Sequence, residues 1–65
     1  MYIVSACNHF GTVNREWYIL EKEYAVTVFN NAARCIDCSS ALLLDGMTGE
    51  VILEYEYGKE IKHYW

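Results

Sequence analysis

The sequence predicts an α+β fold: a four-stranded antiparallel sheet in the order 2-1-3-4 with one helix packed on one face, a ββαββ chain. Three observations predict it. Two segments rich in β-formers are separated by a Gly- and Asn-containing turn, a helical-period segment follows, and a strongly apolar hairpin with two glycines at its tip comes last. The chain of 65 residues is one small domain, 1–65, and 54% of it is apolar.

Tyr2-Ile3-Val4-Ser5-Ala6-Cys7 has the β-branched and aromatic content of a strand, and its weak polarity suits a central one. Asn8 to Asn14 contains Gly11 and reads as a turn. Arg15 to Ile19 returns as the second strand, and alternation places Val13, Arg15, Trp17 and Ile19 on one face, with Trp17 and Ile19 anchoring the core. Apolar residues then recur at Ala25, Val28, Phe29, Ala32 and Ile36, a helical period that predicts a helix over Leu20 to Cys35. Glu21 and Glu23 fall in its first turn and Arg34 in its last, as the helix dipole favours. The N-cap is weak, because no Ser, Thr, Asp or Asn precedes Glu21.

Ser40 to Leu44 is a short continuous apolar run, the length of a buried strand. Asp45 to Glu50 holds Gly46 and Gly49 and forms a hairpin tip. Val51 to Tyr57 alternates Val51, Leu53, Tyr55 and Tyr57 with Ile52, Glu54 and Glu56, and Gly58 stops it. Lys59 to Trp65 is either a short terminal strand or a tail. The first strand runs up, the second down, the helix up and the third strand down, so pairing the third beside the first makes the sheet fully antiparallel. One helix covers one face only. Ile52 and part of the Tyr and Trp set are expected to lie exposed on the other unless the C-terminal tail or a partner covers them, and an uncovered apolar sheet face is an interface signal.

Composition excludes several classes. Aromatics and β-branched residues are too frequent for a disordered tail. No run reaches the roughly 18 apolar residues of a transmembrane helix. Nine acids against five bases, a net charge of −4, disfavour direct nucleic-acid binding. Met1-Tyr2-Ile3-Val4 lacks the basic and apolar regions of a signal peptide, and three cysteines cannot all pair within the chain. Thiols in a reducing cytoplasm are the expectation.

Cys35-Ile36-Asp37-Cys38 is a C-x-x-C, and Cys7-Asn8-His9 lies at the same pole of the predicted topology. Cys7, His9, Cys35 and Cys38 would make a tetrahedral zinc site that stabilises a small domain. C-x-H is not a usual zinc-knuckle spacing, however, and free cysteine commonly serves as a small buried hydrophobe. A thioredoxin-like role fits worse, because this C-x-x-C follows a helix rather than opening one. No nucleophile elbow and no phosphate loop is present, and a domain of this size rarely encloses an enzyme-sized pocket. No catalytic residue is assigned and no enzyme activity is expected.

Glu50, Glu54 and Glu56 form an acidic row, with Glu60 as an extension. Such charges block edge-to-edge pairing of an edge strand. Flanked by Tyr55, Tyr57, Tyr64 and Trp65, they would also steer and anchor a basic protein surface, although Lys59, Lys62 and His63 interrupt the field.

Leu42-Leu43-Leu44-Asp45-Gly46-Met47-Thr48-Gly49-Glu50-Val51-Ile52, following a hairpin and an amphipathic helix, resembles small ββαββ proteins of bacteria, phages and mobile elements, including anti-CRISPR-type inhibitors of host defence. The resemblance implies a stoichiometric binder. The expected function is therefore a non-enzymatic interaction module, a small acidic phage or mobile-element protein. It would inhibit a CRISPR-like, nucleic-acid-handling host protein in the host cytoplasm, through Glu50, Glu54, Glu56, Tyr55, Tyr57, Tyr64 and Trp65. Two alternatives stand beside it: a zinc-stabilised module on Cys7, His9, Cys35 and Cys38, and a homodimer that binds a small ligand.

Overall fold

The computed structural model describes residues 1–9 and 14–64. The turn centred on Gly11, the placement of Val13 and the role of Trp65 lie outside the described residues. The chain forms β1 (Tyr2–Asn8), β2 (Asn14–Ile19), α1 (Lys22–Ala33), β3 (Cys38–Asp45), β4 (Val51–Glu56) and β5 (Lys62–His63). They build a five-stranded antiparallel sheet in the order β2-β1-β3-β4-β5, with α1 against β1, β2 and β3. The expected order 2-1-3-4 is present within it. The tail adds a fifth strand, so β4 is an inner strand and not the edge.

Register follows from which residues must be hidden. Trp17, Val4, Leu43 and Leu53 pair directly across four strands, and Arg15, Ala6, Ala41 and Tyr55 form the next row on the same side. Val4, Leu43 and Leu53 are fully buried there and share one core cluster with the inward residues of α1, Ala25, Phe29, Ala32 and Ala33. The alanines let the helix sit close to the sheet, and Phe29 fills the space between. Each full burial of a Val, Leu or Phe side chain contributes about 1.5–3 kcal/mol. The intervening residues form rows on the opposite face: Tyr18, Ile3, Leu44 and Val51, then Glu16, Ser5, Leu42, Glu54 and Lys62, then Cys7, Ser40 and Glu56.

Two register shifts break strict alternation. Cys7 pairs with Ser40 but Asn8 with Cys38, so Ser39 is the extra residue on β3. Leu43 pairs with Leu53 but Leu44 with Val51, so Ile52 is the extra residue on β4. Ile52, expected on the uncovered face, is instead buried within the core cluster, and the tail closes over its backbone through Tyr64 N–H donating to its carbonyl at 2.9 Å.

The helix is shorter at both ends than its periodicity predicts. Glu21 adopts an extended N-cap conformation without a side-chain cap bond, and Leu20 is 82% exposed. At the other end Arg34 is the C-cap, and Cys35 N–H turns back onto the Ala32 carbonyl at 3.2 Å. Ile36, read as the last apolar position of the helical stripe, is 95% exposed and outside the helix.

The β3–β4 connection is held by local bonds. Asp45 Oδ1 accepts Met47 N–H at 2.8 Å, and the Asp45 carbonyl accepts Gly49 N–H at 2.8 Å. Gly49 has φ of +76°, a region costly for residues with a Cβ. Gly46 is required for a different reason. Its N–H donates to the Met1 carbonyl at 2.7 Å, and a Cβ there would lie 2.9 Å from that oxygen.

Candidate functional site

Two regions carry the residues singled out by the sequence: the pole where α1 ends, and the sheet face turned away from α1.

At the pole, His9 N–H donates to the Asp37 carbonyl at 2.9 Å, tying the end of β1 to the α1–β3 connection. Ser39, the extra residue of β3, places its hydroxyl on the Asn8 carbonyl at 2.9 Å and the Cys7 carbonyl at 3.3 Å. Between β1, β2 and the end of α1 lies a cavity of about 350 Å³. Ala6, Trp17, Val28 and Ala32 are its apolar lining residues, and Asn8, Arg15, Asn31 and Asp37 are polar residues that also line it. Asn8 pairs with Cys38 on the helix side of the sheet, and its Oδ1 is buried with no hydrogen-bond partner among the described residues.

The cysteines converge on this pole but do not form the expected ligand set. Cys38 lies on the helix side and is buried. Burial pushes its thiol above the ordinary range, and the nearby Cys35, Asp37 and Cys7 push in the same direction. Its Sγ donates to the Ser40 carbonyl at 3.3 Å. Cys35 is exposed, with Sγ on the Asn31 carbonyl at 3.5 Å. Cys7 pairs with Ser40, so strand alternation puts it on the other face of the sheet from Cys38. The His9 and Tyr57 rings meet at nearly a right angle with centroids 4.5 Å apart. Among the described residues no three His, Cys, Asp or Glu side chains are grouped as metal ligands. Cys7, His9, Cys35 and Cys38 thus lie at one pole, with Cys7 and Cys38 on strand positions that alternate to opposite faces.

The acidic row is dispersed in a similar way. Glu50 sits exposed in the β3–β4 connection. Glu54 and Glu56 do share the open face, but each has a partner. Glu54 Oε1 accepts the Tyr64 hydroxyl at 3.1 Å, opposite Lys62 in the register, and Glu56 Oε2 lies 3.0 Å from Lys59 Nζ. The Lys59 ammonium holds the Glu56 carboxyl below its ordinary range, and the bond to Glu54 raises the Tyr64 phenol. Tyr55 pairs with Ala41 on the helix side and packs against the core, so it does not share the surface of Glu54 and Glu56. Tyr57 and Tyr64 are exposed.

The open face has an apolar centre of Ile3, Leu42, Leu44 and Val51, all half-buried by their neighbours, with Tyr18 exposed beside them. Glu16 on β2 and Glu54 and Glu56 on β4 stand on either side of this centre. The pole cavity, in contrast, escapes sequence reasoning. Its signal is an arginine, Arg15, alternating into an apolar face beside a small residue, Ala6. Such a pattern leaves unfilled volume.

Compared with protein-family models, curated proteins and solved structures, the chain matches none. The fold defines an α+β domain, with one helix on a five-stranded antiparallel sheet among the described residues. No helix among the described residues is long and apolar enough to cross a membrane.

Proposed function

We propose that the protein is a non-enzymatic interaction module whose open sheet face docks on another protein. The observation that carries this reading is the apolar row Tyr18, Ile3, Leu44 and Val51 with Leu42 beside it, on a face that no helix covers. Contiguous apolar surface rimmed by polar groups marks interaction sites. Charge selects the partner. Glu16, Glu54 and Glu56 stand against Lys62 in the rows of this face, and the whole chain carries −4. A second copy meeting this face would set acid against acid, whereas a partner with an apolar patch ringed by Lys and Arg would be attracted and oriented. Proteins that handle nucleic acid carry such basic surfaces. The reading that joins this face to the resemblance is a small phage or mobile-element protein that occupies a basic surface of a CRISPR-like host defence protein in the host cytoplasm.

The test is binding of the purified protein to purified effector complexes of that class, measured by interferometry at two salt concentrations. Leu42→Lys with Leu44→Lys is expected to weaken capture by about 100-fold or more, as loss of interface anchors does. Glu54→Lys with Glu56→Lys is expected mainly to slow association and flatten the salt dependence. Capture unchanged by the leucine pair would remove the open face from the interface. A concentration-dependent dimer in sedimentation, abolished by the same pair, would replace the foreign partner by a second copy.

A further inference from the structure

We propose that Cys35 and Cys38 form a reversible thiol–disulfide pair, a modification site that takes a low-molecular-weight disulfide of the glutathione class as its oxidant. The pair follows α1 and does not depend on what docks on the open face. Three observations converge. First, the backbone between the two cysteines is a closed turn. Cys38 N–H donates to the Cys35 carbonyl at 3.1 Å, and Ile36 and Asp37 between them both have negative φ. This is a type I turn, which keeps its first and fourth Cα atoms within about 7 Å. A disulfide spans about 4.4–6.8 Å between Cα atoms, a range that the turn closely matches. Its ends are anchored as well: Cys35 N–H donates to the Ala32 carbonyl at 3.2 Å, and the Asp37 carbonyl accepts His9 N–H at 2.9 Å.

Second, exposure divides the pair. Cys35, Ile36 and Asp37 are all exposed, whereas Cys38 is 4% exposed. An external disulfide therefore reaches Cys35 and not Cys38. Third, both cysteines line the cavity of about 350 Å³, so both border unfilled volume. Each thiol rests on a weak bond to a backbone carbonyl, Cys35 Sγ on Asn31 at 3.5 Å and Cys38 Sγ on Ser40 at 3.3 Å. Rotation about each χ1 exchanges these bonds for the bond between the sulfurs.

Exposure sets the order of steps. The Cys35 thiolate attacks one sulfur of the external disulfide, forms a mixed disulfide and expels one small thiolate. Cys38 then loses its proton to solvent and attacks Cys35 Sγ, which expels the second small thiolate and closes the Cys35–Cys38 bond. The two cysteines together give up two electrons, and the external disulfide is reduced to two thiols. The ring so closed is short and restricts the unfolded chain little, so reduced glutathione reopens it. An intracellular disulfide of this kind is transient and senses redox state. It does not act as an oxidant of other proteins, because its exposed thiol follows a helix and does not open one.

The test is incubation of the intact protein with graded ratios of oxidised to reduced glutathione, followed by mass spectrometry of the whole chain and of its unreduced tryptic peptides. Trypsin releases residues 35–59 as one peptide with both cysteines, and Cys7 falls in another. The expected product has lost two hydrogens from the 35–59 peptide, carries no glutathione there and reverts with reduced glutathione. Cys7→Ser should leave this unchanged. Cys38→Ala, which keeps a small apolar side chain at the buried position, should trap glutathione on Cys35. Native alkylation should label Cys35 about tenfold or more faster than Cys38. The ¹H–¹⁵N spectrum of the oxidised protein should stay dispersed, which places the reaction in the folded state. A stable glutathione adduct on Cys35 of the unmutated protein, a bond to Cys7, or both thiols left reduced in excess oxidised glutathione would each overturn the proposal. So would faster alkylation of Cys38, or collapse of the spectrum on oxidation.

Discussion

The two faces of the sheet are made from the same strands and are comparably apolar along their central rows, yet they have opposite fates. On one side Val4, Leu43 and Leu53 are fully buried in one core cluster with Phe29 and the alanines of α1. On the other, Ile3, Leu44 and Val51 are paired across the same strands but are only half-buried. Hydrophobicity of the strands therefore does not decide which side forms the core. The helix decides it, because its inward stripe supplies the volume that one face receives and the other lacks. The uncovered row contributes to sheet pairing without being closed into the core, and this leaves its apolar surface available to a partner.

The sharpest way to break this contrast is to truncate neighbours that point in opposite directions. Leu43→Ala removes a fully buried side chain from the cluster that holds Phe29 and is expected to cost about 2–5 kcal/mol of unfolding free energy. Leu42→Ser, one residue away on the open face, is expected to cost less than about 1 kcal/mol, within the span of β-propensity effects. Chemical denaturation of the two variants measures the difference. Equal losses would mean that the open face is packed as tightly as the helix side, and the interaction reading would lose its footing.

The connection between β3 and β4 tests whether the two ends of the open face are independently held. Gly46→Ala brings a Cβ to 2.9 Å from the Met1 carbonyl oxygen, so the start of β1 must shift. A loss of about 1–3 kcal/mol, the range of overpacking, is expected. Gly49→Ala meets no neighbour within 4 Å, and its cost comes from φ of +76° alone. About 1–2 kcal/mol is expected, with Gly49→Asn costing less because Asn tolerates that region. Thermal melts of the three variants separate collision from conformation.

Much of this architecture was legible because strands advertise themselves by alternation and by β-branched residues. β1 through β4 and their order could be read from Ile3, Val4, Trp17, Ile19 and the Leu42–Leu44 run. Ile36 continues a helical period in sequence, but in space it follows the C-cap and is exposed to solvent, so the helix is shorter than the period predicts. At β5 the sequence does not decide between strand and tail, because its two residues, Lys62 and His63, are polar. Its place is set by pairing with Leu53 and Glu54 and by Ile61 packing on the core. The cysteine cluster was legible as a pole but not as a geometry, since spacing alone does not say that Cys7 and Cys38 lie on opposite sides of the sheet. The cavity was the least legible feature. Sequence patterns mark which residues are apolar, whereas this cavity exists because Ala6 and Ala32 are small where larger side chains would fill the space.

The smallest expected effect concerns the polar rim of the open face. Glu56 is held below its ordinary value of 4.5 by its bond to Lys59. A carboxyl lowered by folding stabilises the fold above its unfolded pKa, and that contribution is lost as pH falls through the lower, folded value. The pair is solvent-exposed, so acid should barely move the unfolding midpoint through this group. Lys59→Ala is therefore expected to return the Glu56 titration, followed by carboxyl-carbon NMR, towards 4.5 while leaving the melting temperature almost unchanged. Tyr64 moves with the opposite sign. The bond to Glu54 raises its phenol, so this contact stabilises below the ordinary value of 10.0 and is lost as pH rises through the raised one. Glu54→Gln should bring the Tyr64 absorbance titration back down. If both titrations shift with little change in stability, the rim charges are surplus to the fold. The open face can then present them to a basic partner without weakening the core behind it.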